Sequence, residues 1–226
     1  MIELRELSKS YGGRQVLAIE RLSLPPGELT LIVGANGAGK STLLKIVALV
    51  ERPDRGTISI GDVTVSRFNR HRLRRRIGWL MQSPLMLKGS ALENVEVGLL
   101  FRRTPAPVRR QRALKALERV GFGADPQKPA ALLSGGEQKL VALARLLVLE
   151  PEILLLDEPT VYLDEARRRR LNQILWEEVI RGSVVVVAEH QKDPAFEGAR
   201  WIGLEGGRVV PNDQLEELGD QPLDRP

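Results

Sequence analysis

The octet Gly34-Ala-Asn-Gly-Ala-Gly-Lys-Ser41 constrains this chain more than any other stretch. Such a loop works where a strand runs into it and a helix leaves it, and both neighbours are present. Residues 28–33 read as a buried strand, and residues 41–50 have helical character closed by Pro53 and Gly56. Glycine tolerates backbone turns and close approaches that a Cβ would block. The N–H groups of residues 37–41 can therefore converge on phosphate oxygens at a helix N-terminus. Lys40 supplies a flexible cation for the β- and γ-phosphates, Ser41 a hydroxyl for magnesium, and Thr42 is expected near the α-phosphate. Gly34, Asn36, Gly37, Ala38, Gly39, Lys40, Ser41 and Thr42 are the candidate nucleotide contacts.

A second apolar run, residues 153–156, ends in Asp157-Glu158. Open α/β sheets gather ligands at the C-terminal ends of their strands, so two acids delivered there face a phosphate site. Asp157 suits magnesium, through water, and Glu158 suits orienting or deprotonating an attacking water. A chain of 226 residues can bury one core with a smaller lobe attached. No apolar run approaches the roughly 18 residues that span a bilayer. The N-terminal MIELRELSKSYGG has no signal-peptide character, so the chain is expected to stay on the side of the membrane where it is made. The absence of cysteine removes disulfide frameworks, thiolate zinc sites and cysteine nucleophiles. The net charge of +5 is concentrated at residues 70–76 and 167–170. Arginine blocks can meet nucleic acid or lipid headgroups. Interleaved Leu73 and Leu171 instead suggest helices with one buried side, and no nucleic-acid partner is expected.

Elsewhere, residues 2–7 and 22–24 read as short strands, and residues 57–60 and 63–65 flank a Gly61-Asp62 hairpin signal. Residues 77–81 form another apolar run. Residues 91–100, 108–120 and 137–149 have helical periodicity, and residues 184–187 suit a parallel sheet buried on both faces. The expected organisation is one domain. Its β lobe and the first part of the core occupy residues 1–82, a helical lobe 83–136, the rest of the core 137–210, and a short acidic tail 211–226.

Leu133-Ser134-Gly135-Gly136-Glu137-Gln138, just upstream of the acidic strand end, resembles the signature sequence of ABC-transporter nucleotide-binding domains, and the resemblance covers nearly the whole chain. It implies a P-loop parallel-sheet core with an N-terminal antiparallel β lobe and an inserted helical signature lobe. Gly135 and Gly136 expose N–H groups ahead of a helix, a second anion site. In the family, two subunits associate head to tail, and the signature of one closes on the ATP held by the other. Ser134, Gly135, Gly136, Glu137 and Asp164 are therefore expected to act across a homodimer. Tyr11 looks like the aromatic that stacks on adenine, the alternative being a packed core tyrosine, and Val16 like a base or ribose contact. Gln82 resembles the glutamine that reaches magnesium and senses the membrane subunit, and His190 the switch histidine at the γ-phosphate. Catalysis is thereby expected of Lys40, Gln82, Glu158 and His190, and metal binding of Ser41, Gln82 and Asp157, with ATP and Mg2+ as cofactors.

Two places depart from the family pattern. Val161-Tyr162 replaces smaller or polar residues, and Glu189-His190-Gln191 replaces the commoner Thr/Ser-His-Asp. Glu189 either alters the surroundings of His190 or points to solvent. The resemblance implies a peripheral protein on the cytoplasmic face of the membrane, driving transmembrane permease subunits. Leu85 and Leu87 either receive a partner helix or anchor the helical lobe. Residues 82–95 resemble ATPases of tungstate or related oxyanion uptake, which favours an importer working with a solute-binding protein. An exporter or lipoprotein-release ATPase uses the same engine, and a soluble ABC protein acting on nucleic acid or ribosomes is the third reading. Many importer ATPases add a C-terminal regulatory lobe. Only the tail is seen here, so regulation at that end is not expected.

Overall fold

Alternating apolar residues build the first layer. In the computed structural model, which describes residues 1–191 and 196–210, β1 (Ile2–Tyr11) and β2 (Arg14–Leu24) form a long antiparallel pair. Ile2, Leu4 and then Leu7 point inward. The phase slips by one at Glu6, whose φ is 50°, and the pairing of β1 with β4 (Arg55–Ile60) shifts register at the same place. The bulge breaks strict alternation, and the paired strands run further than the expected residues 2–7 and 22–24. The hairpin at Gly61-Asp62 joins β4 to β5 (Val63–Thr64), completing a sheet of order β2-β1-β4-β5.

The second sheet comprises β3 (Leu29–Val33), β6 (Ile77–Leu80), β7 (Ile153–Asp157), β8 (Val184–Glu189), β9 (Arg200–Glu205) and β10 (Arg208–Val210), in the order β10-β9-β3-β8-β7-β6. All neighbours are parallel except β10 with β9. β3, β7 and β8 are buried along their whole length, which is why each reads as a predominantly apolar run. One face of the sheet, through Ile32, Leu155 and Val186, shares a core with the antiparallel lobe and α1 (Lys40–Val47). The other face, through Leu31, Leu154 and Val187, packs against α3 (Ala91–Phe101), α4 (Ala106–Arg119), α5 (Gly135–Leu147) and α6 (Glu165–Ile180). Leu73, in the short α2 (Arg70–Arg74), and Leu171 in α6 are buried, as their spacing among arginines implied. The tail expected at residues 211–226 lies outside the described residues.

Parallel pairing brings the C-terminal ends of β3, β8, β7 and β6 to one edge, and each runs directly into a candidate site segment. The loop after β3 is sutured to the far edge of the sheet. Gly207 N–H donates to Ala38 O and Gly207 O accepts from Ala18 N–H, both across the β9–β10 turn. Gly34 lies so close to β9 that an added Cβ would run into the Leu204 carbonyl oxygen. That atom belongs to a paired strand and cannot swing aside. Gly34→Ala is therefore expected to cost about 2–4 kcal/mol of stability, read as a lowered urea midpoint by tryptophan fluorescence.

Candidate functional site

The glycine-rich loop enters α1 through Gly39, which sits before the helix at φ 104°. A Cβ there would stand 2.8 Å from Leu17 Cδ2 and 2.9 Å from Val16 O, so the position needs glycine for conformation and for space. Lys40 is buried, and its ammonium donates to Gly34 O at 2.6 Å and Ala35 O at 3.1 Å, bracing the loop from within. Burial pushes the Lys40 ammonium below the usual lysine range, opposed by the Glu158, Asp157 and Glu189 carboxylates. Val16, Asn36, Gly37, Gly39, Lys40, Ser41, Thr42, Gln82 and Glu158 line one cleft of about 210 Å³. Tyr11 stands beside this loop, 44% exposed, its hydroxyl facing Glu51 and Thr42. It is not a packed core tyrosine.

The acids at the end of β7 are both buried. Burial pushes the Asp157 carboxyl above its usual range, opposed by a hydrogen bond from the Ser41 hydroxyl. Asp157 Oδ1 has no hydrogen-bond partner among the described residues. A buried carboxylate oxygen left open beside a serine hydroxyl is a hard-oxygen donor set that fits magnesium. Glu158 is held differently. Gln82 Nε2 donates to its Oε2 at 2.6 Å, and His190 Nε2 lies 2.6 Å from its Oε1. Three sequence-predicted residues from three separate loops thus meet at one carboxylate. Glu189 does not point to solvent: it is 6% exposed and accepts from Thr160 Oγ1 at 2.8 Å.

The signature segment occupies a separate place. Ser134 is the N-cap of α5, its hydroxyl accepting from Glu137 N–H while the Glu137 carboxylate accepts from Ser134 N–H. Lys128 also donates to the Glu137 carboxylate, so that carboxylate is engaged within its own subunit. Gly135 and Gly136 form the first turn and carry its free N–H groups. Tyr162, 74% exposed and at φ 68°, rests its ring against Gly135. Asp164 caps α6 through Arg167 N–H. Ser134, Gly135, Gly136, Glu137 and Asp164 are absent from the lining of the phosphate cleft. The model of the family described as ABC transporter matches residues 11–161. The chain belongs to the ABC transporter family.

It is the ATP-binding domain of that family, an ATPase. It is 35% identical to the macrolide export ATP-binding/permease protein MacB of Rhodospirillum rubrum, over 100% of this chain and 36% of that protein. It is 37% identical to the lipoprotein-releasing system ATP-binding protein LolD of Pseudomonas fluorescens, over 93% of this chain and 97% of that one. The chain thus spans about a third of MacB's length but nearly all of LolD's. Among solved structures, the dimeric post-hydrolysis state of the ATP-binding cassette MJ0796 bound to ADP and Pi matches with a TM-score of 0.85 and 32% identity, over 93% of this chain and 97% of that chain. Among the described residues, no helix of this ABC ATPase is long and apolar enough to cross a membrane.

Sequence reasoning missed Lys139 and Thr160. Lys139 lies in the middle of a run with an obvious charged-surface reading, yet it shares a helix face with Gly136 and Leu143, at three- and four-residue spacing. That spacing was the available signal.

Proposed function

We propose that this ABC ATPase powers an export-type or lipoprotein-release-type complex, working as an ATP-bound homodimer beneath a separate membrane permease. The near full-length likeness to a lipoprotein-releasing ATP-binding protein carries the reading, and the likeness to export ATP-binding/permease proteins agrees with it. Both support this reading better than uptake of an oxyanion with a solute-binding protein.

In this reading the loop N–H groups and Lys40 hold the β- and γ-phosphates, Thr42 the α-phosphate, and Tyr11 the adenine, with Val16 beside it. Glu158, aligned by Gln82 and His190, orients and deprotonates the attacking water. Ser41, Asp157 and Gln82 would hold magnesium, which when bound neutralises charge on the phosphates. The signature set is absent from the lining of its own cleft, which fits action on nucleotide held by a second copy. The permease contact is the loop after Gln82. Met86 packs against the core there, whereas Leu85 is 67% exposed and Leu87 is also exposed, so the anchoring role falls to Met86. Association with the cytoplasmic face of the membrane follows from this contact.

Stacking by Tyr11 has its own test. Tyr11→Ala should weaken ATP binding about tenfold, since base stacking on an aromatic contributes about 1–3 kcal/mol, while Tyr11→Phe keeps the ring and should bind within about twofold. Fluorescent-nucleotide titration measures both.

The assignment is tested by affinity purification of tagged Glu158→Gln protein from membranes of its own source, with ATP and magnesium. A permease with a large external domain and no solute-binding protein is the expected partner. A permease accompanied by a solute-binding protein would restore the uptake reading. Ribosomes or DNA without a permease would overturn transport altogether.

A further inference from the structure

Glu158 is gripped at its main chain as well as at its carboxylate. Its φ is 47°, a left-handed conformation that is costly for a side chain of this size. Its N–H donates to Ala188 O at 2.9 Å, and its carbonyl accepts from Lys139 Nζ at 2.6 Å. Lys139 is 1% exposed and comes from α5, the helix that Ser134 caps. A fully buried ammonium is unfavourable unless it is hydrogen-bonded and balanced by charge. Here the balance is local, from the Glu189, Asp157 and Glu158 carboxylates. Glu189 in turn is fixed by Thr160, two residues beyond Glu158.

We propose that Lys139 is a positioning residue for ATP hydrolysis, its ammonium tying the signature helix to the Glu158 carbonyl and so fixing the backbone conformation that aims the Glu158 carboxylate. This rests on the reading of Glu158 as the group that activates water. Lys139 does not itself line the cleft, and it holds Glu158 by the carbonyl while Gln82 and His190 hold the carboxylate oxygens. Its effect passes through the main chain, and it connects the helix that carries the signature turn to the strand end that carries Glu158. Movement of the N-terminal end of α5 is thereby transmitted to Glu158 within the same chain. Glu189 is the counter-charge that makes a buried lysine tolerable at this place.

The test is single-turnover and steady-state ATP hydrolysis by the full chain carrying Lys139→Met, with Glu158→Gln measured in parallel. A small displacement of a reacting group is costly, so Lys139→Met should lower kcat about tenfold or more while the Kd for a fluorescent ATP analogue stays within about twofold. Because the single variant leaves buried acids unbalanced, Lys139→Met/Glu189→Gln is made as well. It removes one charge of each sign and should restore thermal stability while kcat stays low. Recovery of wild-type kcat in the double variant would overturn the positioning role, leaving Lys139 a structural counter-charge. Unchanged kcat in a folded Lys139→Met protein would overturn it too. If Glu158→Gln itself turns over normally, the carboxylate reading falls and the inference falls with it. If Glu158→Gln is inactive and Lys139→Met is normal, only the Lys139 inference is lost.

Discussion

Glu158→Gln is expected to lower ATP turnover by about a hundredfold or more, the usual contribution of a positioned general base, with ATP affinity unchanged. Glutamine is nearly isosteric with glutamate, so the Gln82 and His190 contacts at 2.6 Å each retain a partner oxygen or amide. What is lost is the capacity to accept a proton. The effect should therefore appear in kcat alone. A second readout follows from the proposed assembly: with hydrolysis blocked, ATP should hold two copies together, and size-exclusion chromatography with ATP and magnesium should show a dimer that the wild type forms only transiently. Wild-type turnover in Glu158→Gln would refute the role of the carboxylate. Slow turnover without a dimer would separate the chemistry from the assembly.

Lys40→Ala should fail one step earlier. A charge-assisted hydrogen bond contributes about 1.5–3 kcal/mol, and on the proposed reading Lys40 offers its cation to two phosphates at once. ATP affinity is expected to fall about a hundredfold, and turnover falls with it at ordinary nucleotide concentrations. The loop itself should survive. Gly34 and Ala35 lose the ammonium that braces their carbonyls, but the loop remains sutured through Ala38 to the β9–β10 turn. Removing Lys40 also relieves the burial of a charge, so the urea midpoint should change little. Nucleotide titration beside urea denaturation distinguishes a binding residue from a folding residue. Tight ATP binding by Lys40→Ala would remove this lysine from the phosphate site.

The two variants also mark what was legible in the chain. Lys40 and Glu158 announce themselves because each sits at a fixed offset from an apolar run, and the period of that run fixes where the side chain emerges. β3, β7 and β8 were readable for the same reason: strands buried on both faces are dominated by Leu, Ile and Val, broken in β3 only by Thr30. β9 and β10 were not, since Trp201 and Gly203 interrupt β9 and three residues of β10 carry no pattern. α6 was read only at Leu171, among four successive arginines, although its buried Leu171, Ile174, Leu175 and Val179 have helical spacing throughout. Helix ends were off by a turn at most. Local capping decides them, as at Ser134, where the helix starts two residues before the apolar pattern begins. Helical spacing could signal the burial of Lys139, but its partner Glu158 and the Thr160 partner of Glu189 lie 19 and 29 residues away along the chain, which no local pattern contains.

The core that α3, α4 and α5 share with the parallel sheet sets the manner in which this molecule can move. Those helices meet through Ala91, Ala113, Ala116, Ala142 and Ala144, all buried, and their apolar faces run without a break into Leu154, Leu156 and Val187 of the sheet. A lobe joined over so broad an apolar face favours sliding over swinging. Closing over a nucleotide is expected to proceed as a shear, with one packed surface sliding a short way over another on the microsecond-to-millisecond scale. Small side chains keep such a surface smooth. Enlarging any of these alanines would act as a brake, slowing the cycle from a point far from the nucleotide and without touching its chemistry.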